Sequence, residues 1–264
     1  MKRGNSFTVP GEEPIIRLNN VQKKFENGTL AVDGLNLDIF KGQFISFLGP
    51  SGCGKSTVLR MISGLLEPSS GKIQISGTEA KISSVEMGFV FQDATLMPWA
   101  SVEDNVFLPL RLKGVSKRES YNEIDSILKE VGLEDFRKSY PRELSGGMKM
   151  RVSIARALIM KPRLLLMDEP FAALDEMTRF KLNNDILSFW QNAELTVIFV
   201  THSVFESVYL SNRVVVMTPR PGRVVADIPF KDNYPRNDEY RTTASYSKNC
   251  RMVSKHLQRT SQYS

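Results

Sequence analysis

Nine residues restrict what this chain can fold into more than any others. Gly49-Pro50-Ser51-Gly52-Cys53-Gly54-Lys55-Ser56-Thr57 follows an apolar run, Phe44 to Leu48. A helical pattern comes next, with Val58, Leu59, Met61, Ile62 and Leu65 on one side. Strand, glycine loop and helix in that order turn GxxxxGK[ST] into a phosphate cradle. Glycines let consecutive backbone N–H groups point into one concavity, and the helix start adds unpaired N–H groups and partial positive charge. The pattern sends Lys55 to the β- and γ-phosphates and the Ser56 hydroxyl to Mg²⁺. All nine residues, Gly49 to Thr57, are therefore candidate contacts for a nucleoside triphosphate.

At 264 residues, 41% hydrophobic and 24% charged, the chain has the profile of a single ordinary globular domain. No apolar run approaches the ~20 residues that a membrane helix needs. Met1-Lys2-Arg3 has no apolar stretch behind it, so the expectation is a cytoplasmic chain without a secretory signal. Two cysteines, Cys53 and Cys250, make neither a disulfide framework nor a zinc site. Cys53 lies in the phosphate loop, either as a small tolerated residue or as a thiol made reactive by the helix N-terminus. The net charge of +6 admits an acidic membrane surface or nucleic acid as a neighbour as well as a plain solvated basic surface.

Short strands are expected at Ile15–Leu18, Leu35–Ile39, Gly71–Ser76 and Met87–Phe91. From Asp93 the pattern turns helical. Val102–Leu112 is expected to be interrupted by Pro109, and Lys117–Val131 is closed by Gly132. Leu144-Ser145-Gly146-Gly147-Met148 opens another helix and presents a second anion-ready N-terminus. The apolar runs Arg163–Met167 and Thr196–Val200 suit a parallel sheet buried on both faces. A helix over Met177–Trp190 separates them, and strands at Arg213–Met217 and Gly222–Ile228 follow.

Chemistry in such sheets gathers at the C-terminal ends of the strands. Asp168 ends one of them and is the expected Mg²⁺ holder; Glu169, next along, is placed to orient or deprotonate a water. His202, just past another strand, is a candidate γ-phosphate contact. Phe25, in a polar setting, is either a core residue of a small sheet or a flat surface for an adenine ring.

Gly49–Thr57, Gln92, Leu144–Met148, Leu164–Pro170, Ala172–Asp175 and His202 stand in the order found in ATP-binding subunits of ABC transporters, and the chain resembles that family from about Phe25 onward. Leu-Ser-Gly-Gly between the two nucleotide motifs separates this family from other phosphate-loop proteins. The resemblance implies an α/β fold: a RecA-like P-loop NTPase core over about 12–92 and 161–230, with an N-terminal antiparallel β subdomain. It also implies an α-helical subdomain inserted over about 93–160 and a basic tail over about 231–264. Phe25 then resembles the aromatic under adenine, and Gln92 the residue that reaches Mg²⁺ and the attacking water. Glu169 resembles the catalytic base, Asp175 the D-loop aspartate and His202 the switch histidine. Ser145, Gly146 and Gly147 resemble the signature that closes on the ATP of a second copy. Met148 stands where many members have glutamine, and Ala172-Ala173 replaces a common serine at the D-loop.

No membrane span is fused and no second phosphate loop follows, which points to an importer ATPase with separate permease subunits. The stretch after His202 is short for the regulatory domain of sugar importers. Phe91 to Trp99, Asp104-Asn105-Val106, Phe171 to Arg179 and Pro219 to Arg223 resemble the nitrate/sulfonate/taurine branch. ATP and Mg²⁺, permease subunits, a second copy and, indirectly, a solute-binding protein are the implied partners, on the inner face of the cell membrane. No nucleic acid is expected. The alternatives are a soluble ABC ATPase acting on nucleic acid and a phosphate-loop phosphotransferase. Trp99 either docks on the permease or packs within the helical insert. Tyr246, Cys250, Val253 and Leu257 oppose Lys248, Arg251, Lys255 and Arg259 on a basic amphipathic helix. Its apolar stripe lies either on the chain's own core or on membrane or permease.

Overall fold

A computed structural model describes residues 12–76, 78–79, 87–193 and 195–260. Chain order begins β1 (Ile16–Lys24), β2 (Leu30–Ile39), β3 (Phe44–Leu48), α1 (Lys55–Ile62), β4 (Ser70–Ile75), β5 (Thr78–Glu79) and β6 (Met87–Val90). The helices α2 (Val102–Leu112), α3 (Tyr121–Glu130) and α4 (Gly146–Leu158) follow, then β7 (Leu164–Asp168), α5 (Glu176–Asn192) and β8 (Thr196–Thr201). The chain continues with α6 (Val204–Leu210), β9 (Arg213–Met217), β10 (Val224–Pro229) and α7 (Ala244–Thr260). It divides into two compact units, Met1–Val85 with Trp190–Ser264, and Glu86–Phe189.

The first unit contains an antiparallel sheet, β2-β1-β4-β5, and a group of strands ordered β10-β9-β3-β8. β3 pairs in parallel with both β8 and β9, while β10 runs antiparallel to β9. Every residue of β3, β8 and β9 is buried, which is why these runs read as continuously apolar rather than alternating. Arg213 is the exception in β9. Its guanidinium donates to both carboxylate oxygens of Asp227 at 2.7 Å and to the Asp38 carbonyl at 2.7 Å, so the buried charge is fully partnered. β1 and β2 are longer than the short strands expected. Register shifts that span Asn20 in the pairings with both β2 and β4, with Asn20 itself at φ 46°, let β1 continue through Asn19-Asn20.

The second unit is built around α2, α3 and α4, whose Val102, Val106, Ile124, Leu128, Val152 and Ala155 form its helical core. It also holds the parallel pair β6 and β7. Helix does not begin at Asp93. Residues 91–101 are irregular, and Ser101 caps α2 by accepting from the Asp104 N–H. Buried Asn105 fastens this loop: its amide donates to the carbonyls of Met97, Ala100 and Ser101 and accepts from the Met97 N–H at 2.8 Å. Arg156 holds the other end through the Ala94 and Thr95 carbonyls. Pro109 does not interrupt α2. It lacks an N–H, but its carbonyl still accepts from Lys113, and Val102, Val106 and Phe107 bury the helix face. α3 starts later than expected because Ser116 and Glu119 close a turn first, the Glu119 carboxylate accepting from the Ser116 hydroxyl at 2.6 Å.

Asn105→Ala leaves the loop carbonyls and the Met97 N–H without these partners. We expect a loss of about 2–4 kcal/mol in urea unfolding of the chain.

α7 settles the two readings of the tail helix. Tyr246, Cys250 and Val253 are buried, and the helix packs on α6, β9 and β10, so the apolar stripe covers the chain's own core. Arg236 locks the connection by donating to the carbonyls of Val208, Tyr209 and Ser211 at the end of α6, with its guanidinium over Tyr234 and Tyr240. No helix among the described residues is long and apolar enough to cross a membrane.

Candidate nucleotide site

In the first unit the phosphate loop leaves the C-terminal end of β3, between its parallel neighbours. Gly52 and Gly54 take φ of +75° and +95°, a region that favours glycine, and Gly54 ends the loop at the start of α1. The first turn of α1 carries no acidic side chain, so its N–H groups face an anion without opposition. Lys55 is buried and folds over the loop, donating to the Gly49 and Pro50 carbonyls at 2.8 and 3.0 Å. Leu48 pairs with Thr201, so His202 stands beside the loop's origin at the same end of the same sheet. Phe25 lies at the β1–β2 turn, 38% exposed, with the Lys23 ammonium 5.6 Å from its ring centre. Of its two readings, the buried core position is excluded.

Contacts that the sequence does not reveal brace the loop. A Cβ on Gly54 would stand 2.7 Å from the Ala31 carbonyl, and one on Gly222 would stand 2.1 Å from the Cys53 carbonyl. Gly222 also donates to Ala31, and its carbonyl accepts from Asp33, stitching the β10 approach to β2 beneath the loop. Arg220 donates to the Gly52 carbonyl at 3.3 Å. Only the close approach of three backbones explains Gly222, a long-range fact invisible in a Pro-Gly turn motif. Gly222→Ala is expected to displace the loop, raising KM for ATP about tenfold and costing about 1–3 kcal/mol of stability.

Cys53 is not a reactive thiol. It is 0% exposed, and burial pushes its pKa up, outweighing the opposing pull of Lys55. Its place in the loop serves packing, with the sulfur against Gly49, where an added Cβ would come within 2.8 Å.

The second unit gathers the remaining candidates into two groups. β6 and β7 are parallel with Val90 opposite Met167, so Gln92 and Asp168-Glu169 emerge at one end of that pair. Asp168 is buried while Gln92 is exposed. Glu169 has φ of +45°, a conformation that costs a non-glycine residue energy and is concentrated at functional sites. In the other group Ser145 caps α4 by accepting from the Met148 N–H, leaving Ser145 and Gly146 exposed. Gly147 is buried against α5: a Cβ there would meet Thr178 at 2.4 Å. Asp175 caps α5 by accepting from the Thr178 N–H at 3.0 Å. The Thr178 side chain first, and this N–H after it, hold its carboxyl below the usual range. The signature turn and the D-loop are thus neighbours within this unit.

A glycine-lined loop at the end of a parallel strand, a buried lysine over it and an unopposed helix start define a P-loop nucleotide-binding protein. The ABC transporter family model matches residues 32–172. An uncharacterised ABC transporter ATP-binding protein of Methanocaldococcus jannaschii is 48% identical over 225 residues, 84% of each chain. The aliphatic sulfonates import ATP-binding protein of Bacillus cereus is 44% identical over 225 residues, 84% of this chain and 88% of the relative. Among solved structures, cbiO1 of Clostridium perfringens, part of the cbiONQ ABC transporter complex, superposes with a TM-score of 0.76 at 28% identity, covering 94% of this chain and 97% of that one. A dimeric ATP-binding cassette in a post-hydrolysis state with ADP and Pi bound gives 0.74 at 32% identity, covering 83% and 100%. This chain belongs to the ABC transporter family. It has the P-loop NTPase cassette fold and is an ATP-binding, ATP-hydrolysing transporter subunit.

Proposed function

We propose that the chain powers import of a small solute, nitrate-, sulfonate- or taurine-like or related, through separate permease subunits on the inner face of the cell membrane. The observation that carries this reading is the 44% identity to an aliphatic sulfonates import subunit across 84% of the chain. Two copies close on two nucleotides, as the dimeric cassette at 32% identity suggests. Gly49 to Thr57 of one copy cradles each triphosphate, with Lys55 on the β- and γ-phosphates and Phe25 under adenine. Ser145, Gly146 and Gly147 of the other copy cover the γ-phosphate with the α4 N-terminus. Glu169 takes the proton of the attacking water, His202 contacts the γ-phosphate, Gln92 positions the water, and Asp175 lies at the copy–copy contact. Ser56, Asp168 and Gln92 would hold Mg²⁺, which would supply charge neutralisation for the phosphate groups. The core over 12–92 and 161–230 binds nucleotide, and the helical insert over 93–160 passes its closure to the permease.

Purification of the tagged chain from its own cells is expected to bring down a membrane permease and, through it, a solute-binding protein. In vesicles, ATP hydrolysis by that complex should rise with a sulfonate, nitrate or taurine bound to the solute-binding protein. Activity raised by DNA instead, with a steep salt dependence, would replace transport with nucleic-acid work.

Trp99 is 77% exposed, which removes the reading that it packs inside the helical insert. Its loop is rigidly held by Asn105 and Arg156, so the ring is presented as an anchor rather than left to collapse. Trp99→Ala should weaken permease association at least about tenfold and lower solute-stimulated hydrolysis, with basal hydrolysis unchanged. Pull-down and coupled ATPase assays on the same preparation check it.

A further inference from the structure

The tail helix packs on the core by one stripe and leaves another face over an open groove. The groove holds about 570 Å³, within the range of small-molecule sites. Ser247, Arg251, Ser254, Lys255 and Gln258 line one wall, all from a single face of α7. Phe205 of α6 forms part of the opposite wall, 64% exposed, with Tyr246 and Cys250 at the base. Arg241, stacked on Tyr209 at 3.6 Å, closes one end. Three cations thus face one space. No acidic side chain lines it among the described residues; Asp238, which meets Arg241 at 3.9 Å, is the nearby counter-charge that the structure shows.

We propose that this groove binds a small organic anion with an aromatic or apolar body. Guanidinium and ammonium groups select the anionic head, and the exposed Phe205 ring beside Tyr246 takes the body. The exposed Phe205 ring faces this cationic wall across the groove, and none of the described residues covers it.

The groove is wired to the nucleotide side of the same unit. The Tyr246 hydroxyl donates to the Phe205 carbonyl at 3.1 Å. One residue on, the Glu206 carboxylate accepts from the Thr201 hydroxyl at 2.6 Å, and that hydroxyl oxygen accepts from the Ser203 N–H at 3.0 Å. These bonds frame His202. An occupant that bears on Phe205 therefore shifts the turn that carries His202 and changes hydrolysis, a consequence that rests on the reading of His202 as a γ-phosphate contact.

The test uses the full chain and anilinonaphthalene sulfonate, a fluorescent aromatic sulfonate, with uncharged anilinonaphthalene as its control. We expect one site per chain with a Kd below about 100 µM and at least about tenfold weaker binding of the uncharged analogue. Arg251→Glu with Lys255→Glu, both exposed helix positions, should weaken the sulfonate at least about tenfold, and Phe205→Ala should do the same. Lys55→Met should leave probe affinity unchanged, which separates the groove from the ATP site and from any failure of the ATPase reading. Saturating probe should change steady-state hydrolysis by about fivefold or more in the unmutated chain and not in Phe205→Ala. Affinity unaltered by both the double reversal and Phe205→Ala, or equal affinity for the uncharged analogue, overturns the site. Binding at the groove with hydrolysis unchanged overturns the link to His202.

Discussion

Lys55→Met should lower kcat/KM for ATP by on the order of 10²–10³ or more, because it removes a buried cation poised over the phosphate loop. Methionine keeps the apolar stem and its packing. What it cannot keep is the ammonium that now donates to the Gly49 and Pro50 carbonyls. On the proposed binding of ATP, those donors would turn to the β- and γ-phosphate oxygens. Losing these two bonds, with the Pro50 carbonyl still accepting from the Cys53 N–H, costs about 1–3 kcal/mol of stability at most, so the variant should stay folded. Phosphate release at saturating ATP and a urea unfolding curve, run on one preparation, separate the two effects. A variant that hydrolyses ATP within a few-fold of the unmutated rate would remove Lys55 from the phosphate site.

Glu169→Gln carries the other large effect. Glutamine matches glutamate in shape but cannot accept the proton of an attacking water. We expect a loss of about 10²–10⁴ in turnover with ATP binding intact. Because nothing then resets the bound state, the protein should accumulate as a nucleotide-loaded pair, seen as a doubled mass on adding Mg-ATP. The backbone argues for the same residue: Glu169 is held at φ of +45° directly after the buried strand β7.

Much of this was legible from residues alone, for a physical reason. The apolar runs at 44–48, 163–167 and 196–200 are too continuous for half-exposed strands, so they place buried parallel strands and the polar residues at their ends. Gly49 to Thr57 states its own loop geometry, and Ser145 before two glycines states a capped helix. What stayed hidden depends on contacts between distant segments. Gly222 under the phosphate loop and Asn105 behind the Trp99 loop have ordinary neighbours in sequence; their roles come from backbones brought within van der Waals contact by the fold. Cys53 stood between two readings in the sequence, and burial, which raises its thiol pKa, decides for the small packed residue. Pro109 misled because tertiary packing outweighs the loss of one helical donor.

The central claim is that each ATP is gripped by one copy and capped by the other. Mixing two inactive variants tests it. Lys55→Met disables the grip, and Gly146→Asp places a negative charge at the exposed start of α4, where it repels a γ-phosphate while suiting a helix N-terminus. In a mixed pair, one nucleotide meets both defects and the other meets neither. ATP hydrolysis by the equimolar mixture should therefore recover to roughly a quarter of the unmutated rate, half the pairs being mixed with one intact site each. A mixture no more active than either variant alone would contradict the account.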